Sequence, residues 1–196
     1  MVLRNGYLQH GAQLLLQLQI MNDSKLIALS AIATALSIVC LILGAYVDVL
    51  EYSALFMASL CSMIPLAKKS VKAAVLSYLA TAVLAAFIVV KSPAMLILYG
   101  VFFGLHPTVN YIFREKKFNK ILGCLIKAVW FVGSIVLIYF TFGEFFTEGT
   151  IFEREEFRKY ALLALTVGGA VLFILYDFLM NRFQRFVDST VERLKL

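Results

Sequence analysis

Charge is scarce in this sequence. Aspartate, glutamate, lysine and arginine make up 15% of its 196 residues, against about a quarter in an ordinary soluble domain. Cysteine is scarce too. Cys40, Cys61 and Cys124 are scattered through apolar runs, without the paired spacing of a zinc site or a redox motif, so they read as packing residues. The two histidines, His10 and His106, are too few for a histidine-rich metal site. The patterns G-x-x-x-x-G-K-[ST], H-E-x-x-H and G-x-S-x-G are missing. Their absence removes a phosphate loop, a zinc-peptidase helix and a nucleophile elbow. The chain is therefore expected to be no enzyme and to carry no cofactor or metal. Strand-like alternation is missing as well, which argues against a membrane β-barrel.

Long apolar runs fill the space that charge leaves. Hydrophobic residues make up 62% of the chain and the mean hydropathy is +0.88, so the solvent for most of it is lipid. A spanning helix needs roughly 20 apolar residues. Segments 26–47, 71–90, 94–113, 121–142 and 160–180 meet that length, while 53–67 is shorter and runs into Pro65. Pro93 opens the fourth of the six segments, as a proline in a first helical turn does. The expected fold is an all-α integral membrane protein, a bundle of six transmembrane helices, with the second segment tilted or partly re-entrant.

Orientation follows from where lysine and arginine fall in the short loops. Lys68, Lys69 and Lys72 follow the second segment, and Arg114, Lys116, Lys117 and Lys120 follow the fourth. Arg182, Arg185, Arg193 and Lys195 lie in the tail. With six spans all of these share one side. The other side holds Lys91, Arg154, Arg158 and Lys159, outweighed by Asp48, Glu51, Glu144, Glu148, Glu153, Glu155 and Glu156. Both termini are expected to be cytoplasmic. The net charge of +6 is the sum of a basic inner rim and an acidic outer rim, and implies no nucleic-acid partner. Three parts are expected: an N-terminal extension (1–22), a membrane domain (23–182) and an amphipathic cytoplasmic tail (183–196). The extension is either an interfacial helix or sequence upstream of a true start at Met21.

Polar groups inside a membrane are costly, so each one calls for a partner or a function. Tyr99, Phe103, His106 and Asn110 recur at helical spacing in the fourth segment. For His106 and Asn110 the simplest reading is hydrogen bonding to neighbouring helices, helped by the carbonyl that Pro107 leaves free. Lys127 is within reach of the inner interface and also of Asp177, and Trp130 lies near mid-membrane. In the third segment, Ala73, Ser77, Thr81 and Ala85 form a small-residue stripe, the mark of tight packing. For a ligand pocket the outer-half candidates are Tyr46, Asp48, Glu51, Lys91, Tyr99, Trp130, Tyr139 and Glu144, each also a type that anchors a helix or sits as a loop charge. The first segment has a smaller patch, Ala31 and Ala35, one turn apart in the inner half.

Four stretches, "KLIALSAIATALSIV", "YGVFFGLHP", "REKKFNK" and "YDFLMNRF", together with the six-helix layout over about residues 21–190, resemble the substrate-binding S component of energy-coupling factor (ECF) vitamin transporters. That resemblance implies a multi-pass protein of the bacterial plasma membrane. It would capture a vitamin or related micronutrient from outside and deliver it inward by docking on a separate coupling membrane subunit driven by two ATPase subunits. It also implies that Ala31 and Ala35, the A-x-x-x-A of the first stretch, are the docking patch, and that ATP is handled by the partners. Two rivals make other demands. A stand-alone secondary transporter needs a membrane-embedded acid and often an internal repeat. A non-transport scaffold needs no ligand-sized cavity.

Overall fold

The computed structural model describes residues 2–143 and 154–193, with side chains for 23–47, 49–143, 154, 157 and 159–193. Every element among these residues is helical: α1 (Val2–Tyr46), a 3-10 turn (Asp48–Leu50), α2 (Glu51–Cys61), α3 (Ile64–Ala67), α4 (Val71–Ile88), α5 (Pro93–Leu98), a π-helical segment (Tyr99–Phe103), α6 (His106–Glu115), α7 (Lys120–Thr141) and α8 (Glu155–Arg193). Five stretches are long and apolar enough to cross a membrane: Asp23–Tyr46, Val71–Ile88, Pro93–Glu115, Lys120–Thr141 and Lys159–Arg193. Glu51–Ala67 is apolar but shorter.

The shortness of the second segment has a local cause. Ser62 turns its hydroxyl back to the Ser59 carbonyl at 2.7 Å, and the Met63 amide reaches only three residues back, to Leu60, at 3.0 Å. Pro65 then sits in the first turn of α3, where its missing amide costs nothing. Even so, α2 and α3 together run the length of the bundle. At one end the chain around Glu51 meets Ser92; at the other, Lys68 and Lys69 line the same crevice as Arg114 and Asp188.

The first helix shows how an apolar rod acquires a face. Ala33, Ser37, Leu41 and Ala45 are buried at four-residue steps, and Ser37 donates to the Ala58 carbonyl of α2 at 3.1 Å. Gly44 permits that crossing: a methyl group there would lie 2.5 Å from Cβ of Ala54. On α4 the expected stripe of Ala73, Ser77, Thr81 and Ala85 is buried. Its Ser77 hydroxyl meets Thr34 at 3.0 Å and the Ser30 carbonyl at 3.3 Å, which binds α4 to α1. The Ser70 side chain caps α4 through the Ala73 amide at 3.2 Å, satisfying one of the donors that a helix start leaves open.

The fourth segment is a broken rod. Between α5 and α6 the Gly104 amide bonds the Tyr99 carbonyl, five residues back, at 2.8 Å. A π-turn of this kind inserts one residue and rotates everything beyond it by about 100°, one residue's worth of helical turn. Pro107 then removes the amide that would have bonded the Phe103 carbonyl. Ser59 of α2 replaces it, donating to that carbonyl at 2.7 Å, and its oxygen lies 2.8 Å from the Tyr176 hydroxyl of α8. Since Ser59 has one proton and spends it on the carbonyl, Tyr176 is the donor of the second bond. The core clusters here, with Phe102 at its centre: its ring lies 4.7 Å from Phe131, 5.0 Å from Trp130 and 5.8 Å from Tyr176.

Gly104 is part of this break. A methyl group there would fall 2.4 Å from the Tyr78 ring, and Tyr78 holds the Gly100 carbonyl through its hydroxyl at 2.7 Å. Gly104→Ala is expected to displace that ring and to destabilise the bundle by about 1–3 kcal/mol. Gly100→Ala meets nothing within 4 Å and is expected to be neutral or stabilising by up to about 1 kcal/mol. Apparent melting temperatures of the two variants in detergent, followed by helical circular dichroism, check both.

Candidate functional site

Three helices bring a polar cluster together inside the apolar bundle. Asp177 of α8 is 9% exposed, Lys127 of α7 4%, and His106 at the start of α6 is fully buried. The ammonium of Lys127 pairs with Oδ1 of Asp177 and donates to Oδ1 of Asn110 at 2.8 Å. His106 Nε2 lies 3.1 Å from the same Asp177 oxygen. A carboxylate only accepts, so Nε2 carries a proton, and in the neutral ring Nδ1 is then a lone pair. That Nδ1 has no partner among the described residues.

Two asparagines close the ring. With its oxygen engaged by Lys127, the Asn110 amide donates from Nδ2 to Oδ1 of Asn181 at 2.9 Å. Asn181 in turn donates to the Asp177 carbonyl at 2.7 Å. Burying two opposite charges in an apolar medium costs several kcal/mol per ion before their attraction is counted. This arrangement answers that cost with hydrogen bonds from Lys127, His106 and Asn181 to Asp177 and from Lys127 to Asn110. Lys127 has three donors and spends two inside the ring.

Below the ring lies a cavity of about 630 Å³, lined by Asn110, Lys127, Asp177 and Asn181 on its inner side and by Arg114, Lys117, Lys120 and Arg185 toward the basic end. The turn between α6 and α7 builds one wall. Lys117 adopts φ 49°, its amide bonds the Arg114 carbonyl at 3.1 Å, and the next amide, of Phe118, reaches the Phe113 carbonyl at 2.9 Å. These bonds form a Schellman motif, and its usual apolar contact is present: the Phe113 and Phe118 rings stack at 4.8 Å. Glycine is the usual residue at the left-handed position, so a lysine there carries about 1–2 kcal/mol of strain. Asn119 then caps α7, accepting from the amides of Ile121 at 3.0 Å and Leu122 at 3.3 Å.

The candidates for an outer pocket separate into two depths. Tyr46, Glu51 and Lys91 meet at the end of the bundle away from this cavity. The Lys91 ammonium sits 5.8 Å from the Tyr46 ring centre, and the Glu51 carboxylate accepts from the Ser92 hydroxyl at 2.5 Å. Deeper in, Tyr99 is fully buried and its hydroxyl has no partner among the described residues. Trp130 is half-buried against Phe102, and Tyr139 is half-buried with its ring 5.9 Å from Phe140. The side chain of Asp48 and all of Glu144 lie outside the described residues. Ala31 and Ala35 are both exposed, on the face of α1 opposite Ala33 and Ser37.

The anticipated stripe of Tyr99, Phe103, His106 and Asn110 is divided by the π-turn. Tyr99 turns toward Tyr78 of α4, ring centres 6.3 Å apart, while His106 and Asn110 face α7 and α8. The pairing of Lys127 with Asp177 is as expected from two charges near the same end of antiparallel helices. Asn181 escaped notice, although it stands one turn from Asp177 in an apolar run, the spacing at which two polar residues share a helix face. The cavity residues were legible only as basic loops. Comparison with family models, curated proteins and solved structures finds no match.

Removing one partner of the buried pair tests how the ring is held. Lys127→Met leaves Asp177 charged and uncompensated, and is expected to destabilise the protein by about 3–5 kcal/mol. Lys127→Met combined with Asp177→Leu removes both charges and is expected to recover most of that loss. Apparent melting temperatures of the single and double variants give the comparison.

Proposed function

We propose that this chain is a membrane-embedded solute-capture subunit that works by docking on a separate membrane partner, the role of the S component in ECF transporters. The observation that carries this reading is the division of α1. Its buried face, Ala33, Ser37 and Leu41, is spent on α2 and α4, yet Ala31 and Ala35 are small and exposed. They stand among large neighbours, Ile32, Leu36 and Val39, which are 46–52% exposed. Small residues one turn apart let a second helix approach closely. They lie in the half of α1 bonded to the first turns of α4, toward the basic end. In this reading the basic end is cytoplasmic, the Glu51–Ala67 rod completes six crossings, and Tyr46, Glu51 and Lys91 stand at the outer mouth, where a vitamin-like solute enters. A coupling subunit and two ATPases supply the work.

One feature favours a second reading. The buried Asp177, paired with Lys127 and bonded to His106, is the kind of embedded acid that ion-coupled secondary transporters use. Under that reading the chain works alone.

Docking makes a divided prediction. Ala31→Trp and Ala35→Trp are expected to abolish uptake in the native host. Whatever small molecule mass spectrometry finds retained by the purified wild-type chain should still be retained by both variants. Equal loss of uptake and retention would contradict the docking role. Solute accumulation against a gradient by liposomes holding this chain alone would establish the second reading instead.

A further inference from the structure

We infer that the cavity at the α6–α7 turn is a binding site for a phosphate group, carried by a lipid headgroup or by a soluble phosphate compound. Charge balance is the first ground. The cavity is lined by five cationic side chains, Arg114, Lys117, Lys120, Lys127 and Arg185, and by one acid, Asp177, which Lys127 already neutralises. The neighbouring crevice at the same end of the bundle is different. There Lys68, Lys69 and Arg114 are matched by Glu115, Asp188 and Glu192. The positive surplus is therefore larger at this cavity than at that crevice. Of the cavity's outer cations, Arg114 has Asp188 at 3.5 Å. Lys117, Lys120 and Arg185 form no ion pair among the described residues.

Geometry is the second ground. At the floor, the Lys127 ammonium spends two of its three donors on Asn110 and Asp177, which leaves one for an occupant of the cavity it lines. At the wall, Lys117 holds a left-handed backbone, φ 49°, where glycine would sit without strain. Lys69, in the charge-balanced crevice, holds the same kind of backbone at φ 59°, so what sets this cavity apart is its charge surplus and the spare donor of Lys127. A tetrahedral anion can accept from several cations at once, and basic pockets between membrane helices near the cytoplasmic surface are the usual seat of anionic headgroups. The inference does not depend on the docking role of Ala31 and Ala35, which lie on another helix.

The test uses the full chain purified in an uncharged detergent, with two probes. Inorganic phosphate binding is measured calorimetrically, and binding of phosphatidylglycerol against phosphatidylcholine by native mass spectrometry. At least one phosphate probe is expected to bind at one equivalent, with phosphatidylcholine excluded. Lys117→Gly should weaken it about fivefold while raising the melting temperature, since it removes a cation and a strained residue together. The triple variant Lys117→Gly, Lys120→Gln, Arg185→Gln should weaken it about a hundredfold, at the same increment per cation. Lys68→Gln with Lys69→Gln should change it less than about twofold, because that crevice is already balanced. Binding of the lipid alone assigns a headgroup site, and binding of inorganic phosphate assigns a soluble ligand. Failure of both probes to bind at one equivalent would overturn the inference, as would equal losses in the triple variant and in Lys68→Gln/Lys69→Gln.

Discussion

The contact between Asp177 and Lys127 sets the terms for the cavity half of this molecule. An ionised carboxylate in an apolar bundle is tenable only with a cation and further donors in place. Meeting that demand requires α6, α7 and α8 to stand at one relative height, because Asp177, Lys127, His106 and Asn110 come from three different rods. Asn181 adds the closing bond from the same helix as the acid. A vertical slip of one turn in any of the three would leave at least one charge or amide facing hydrocarbon. The ring thus adds a directional constraint on register to the close packing of Phe102, Phe131, Phe173 and Tyr176 around it.

That register has consequences above and below the ring. Above it, the chain between α5 and α6 must turn His106 and Asn110 toward α7 and α8, and the π-turn with Pro107 makes the rotation. The broken backbone that results needs a donor, and Ser59 supplies one. This gives the α2–α3 rod, shorter than the five long apolar stretches, a reason to sit deep in the bundle: it mends its neighbour, and Tyr176 ties both to α8. Below the ring, holding α6 and α7 at a fixed height leaves their connecting turn standing away from α8, and the space between them is the basic cavity. Polar ring, repaired break and cavity are parts of one arrangement.

What the sequence makes legible follows from which forces are local. Composition alone places the chain in lipid, and four-residue spacing alone predicts the burial of Ala73, Ser77, Thr81 and Ala85. The pairing of Lys127 with Asp177 is legible because two opposite charges in apolar runs near one end of antiparallel helices have few other options. The orientation of Tyr99 is not legible. Helical spacing puts it on the face of His106, and only the inserted residue of the π-turn, with its bond from Gly104 to Tyr99, moves it to α4. Nothing in "YGVFFGLHP" separates a π-turn from a regular helix, since the choice is made by Tyr78, Ser59 and the polar ring, all distant in sequence. The cavity escapes for a similar reason. Its cations read as a loop signal for orientation, and their convergence depends on a left-handed lysine and on the height of α8.

The two regions with functional proposals draw on different physics, and their separation follows from the packing. Ala31 and Ala35 belong to α1, whose partners are α2 and α4, whereas the cavity belongs to α6, α7 and α8, and α7 packs chiefly on α8. An α1 surface of exposed small residues offers contact without charge, so its strength scales with shape and falls away when a bulky group intrudes. The cavity offers charge in a partly enclosed space, where attraction is stronger than at the open surface and weakens less with salt. Binding at one is therefore transmitted to the other only if the bundle moves as a body or if the polar ring changes state. The ring is the natural relay on the cavity side, because Lys127 belongs to both the ring and the cavity floor. An anion bonded to the third donor of Lys127 would share that ammonium with Asn110 and Asp177, which hold the other two. Asn110, Asp177 and Asn181 line the cavity as well, so an occupant there would sit directly against the ring.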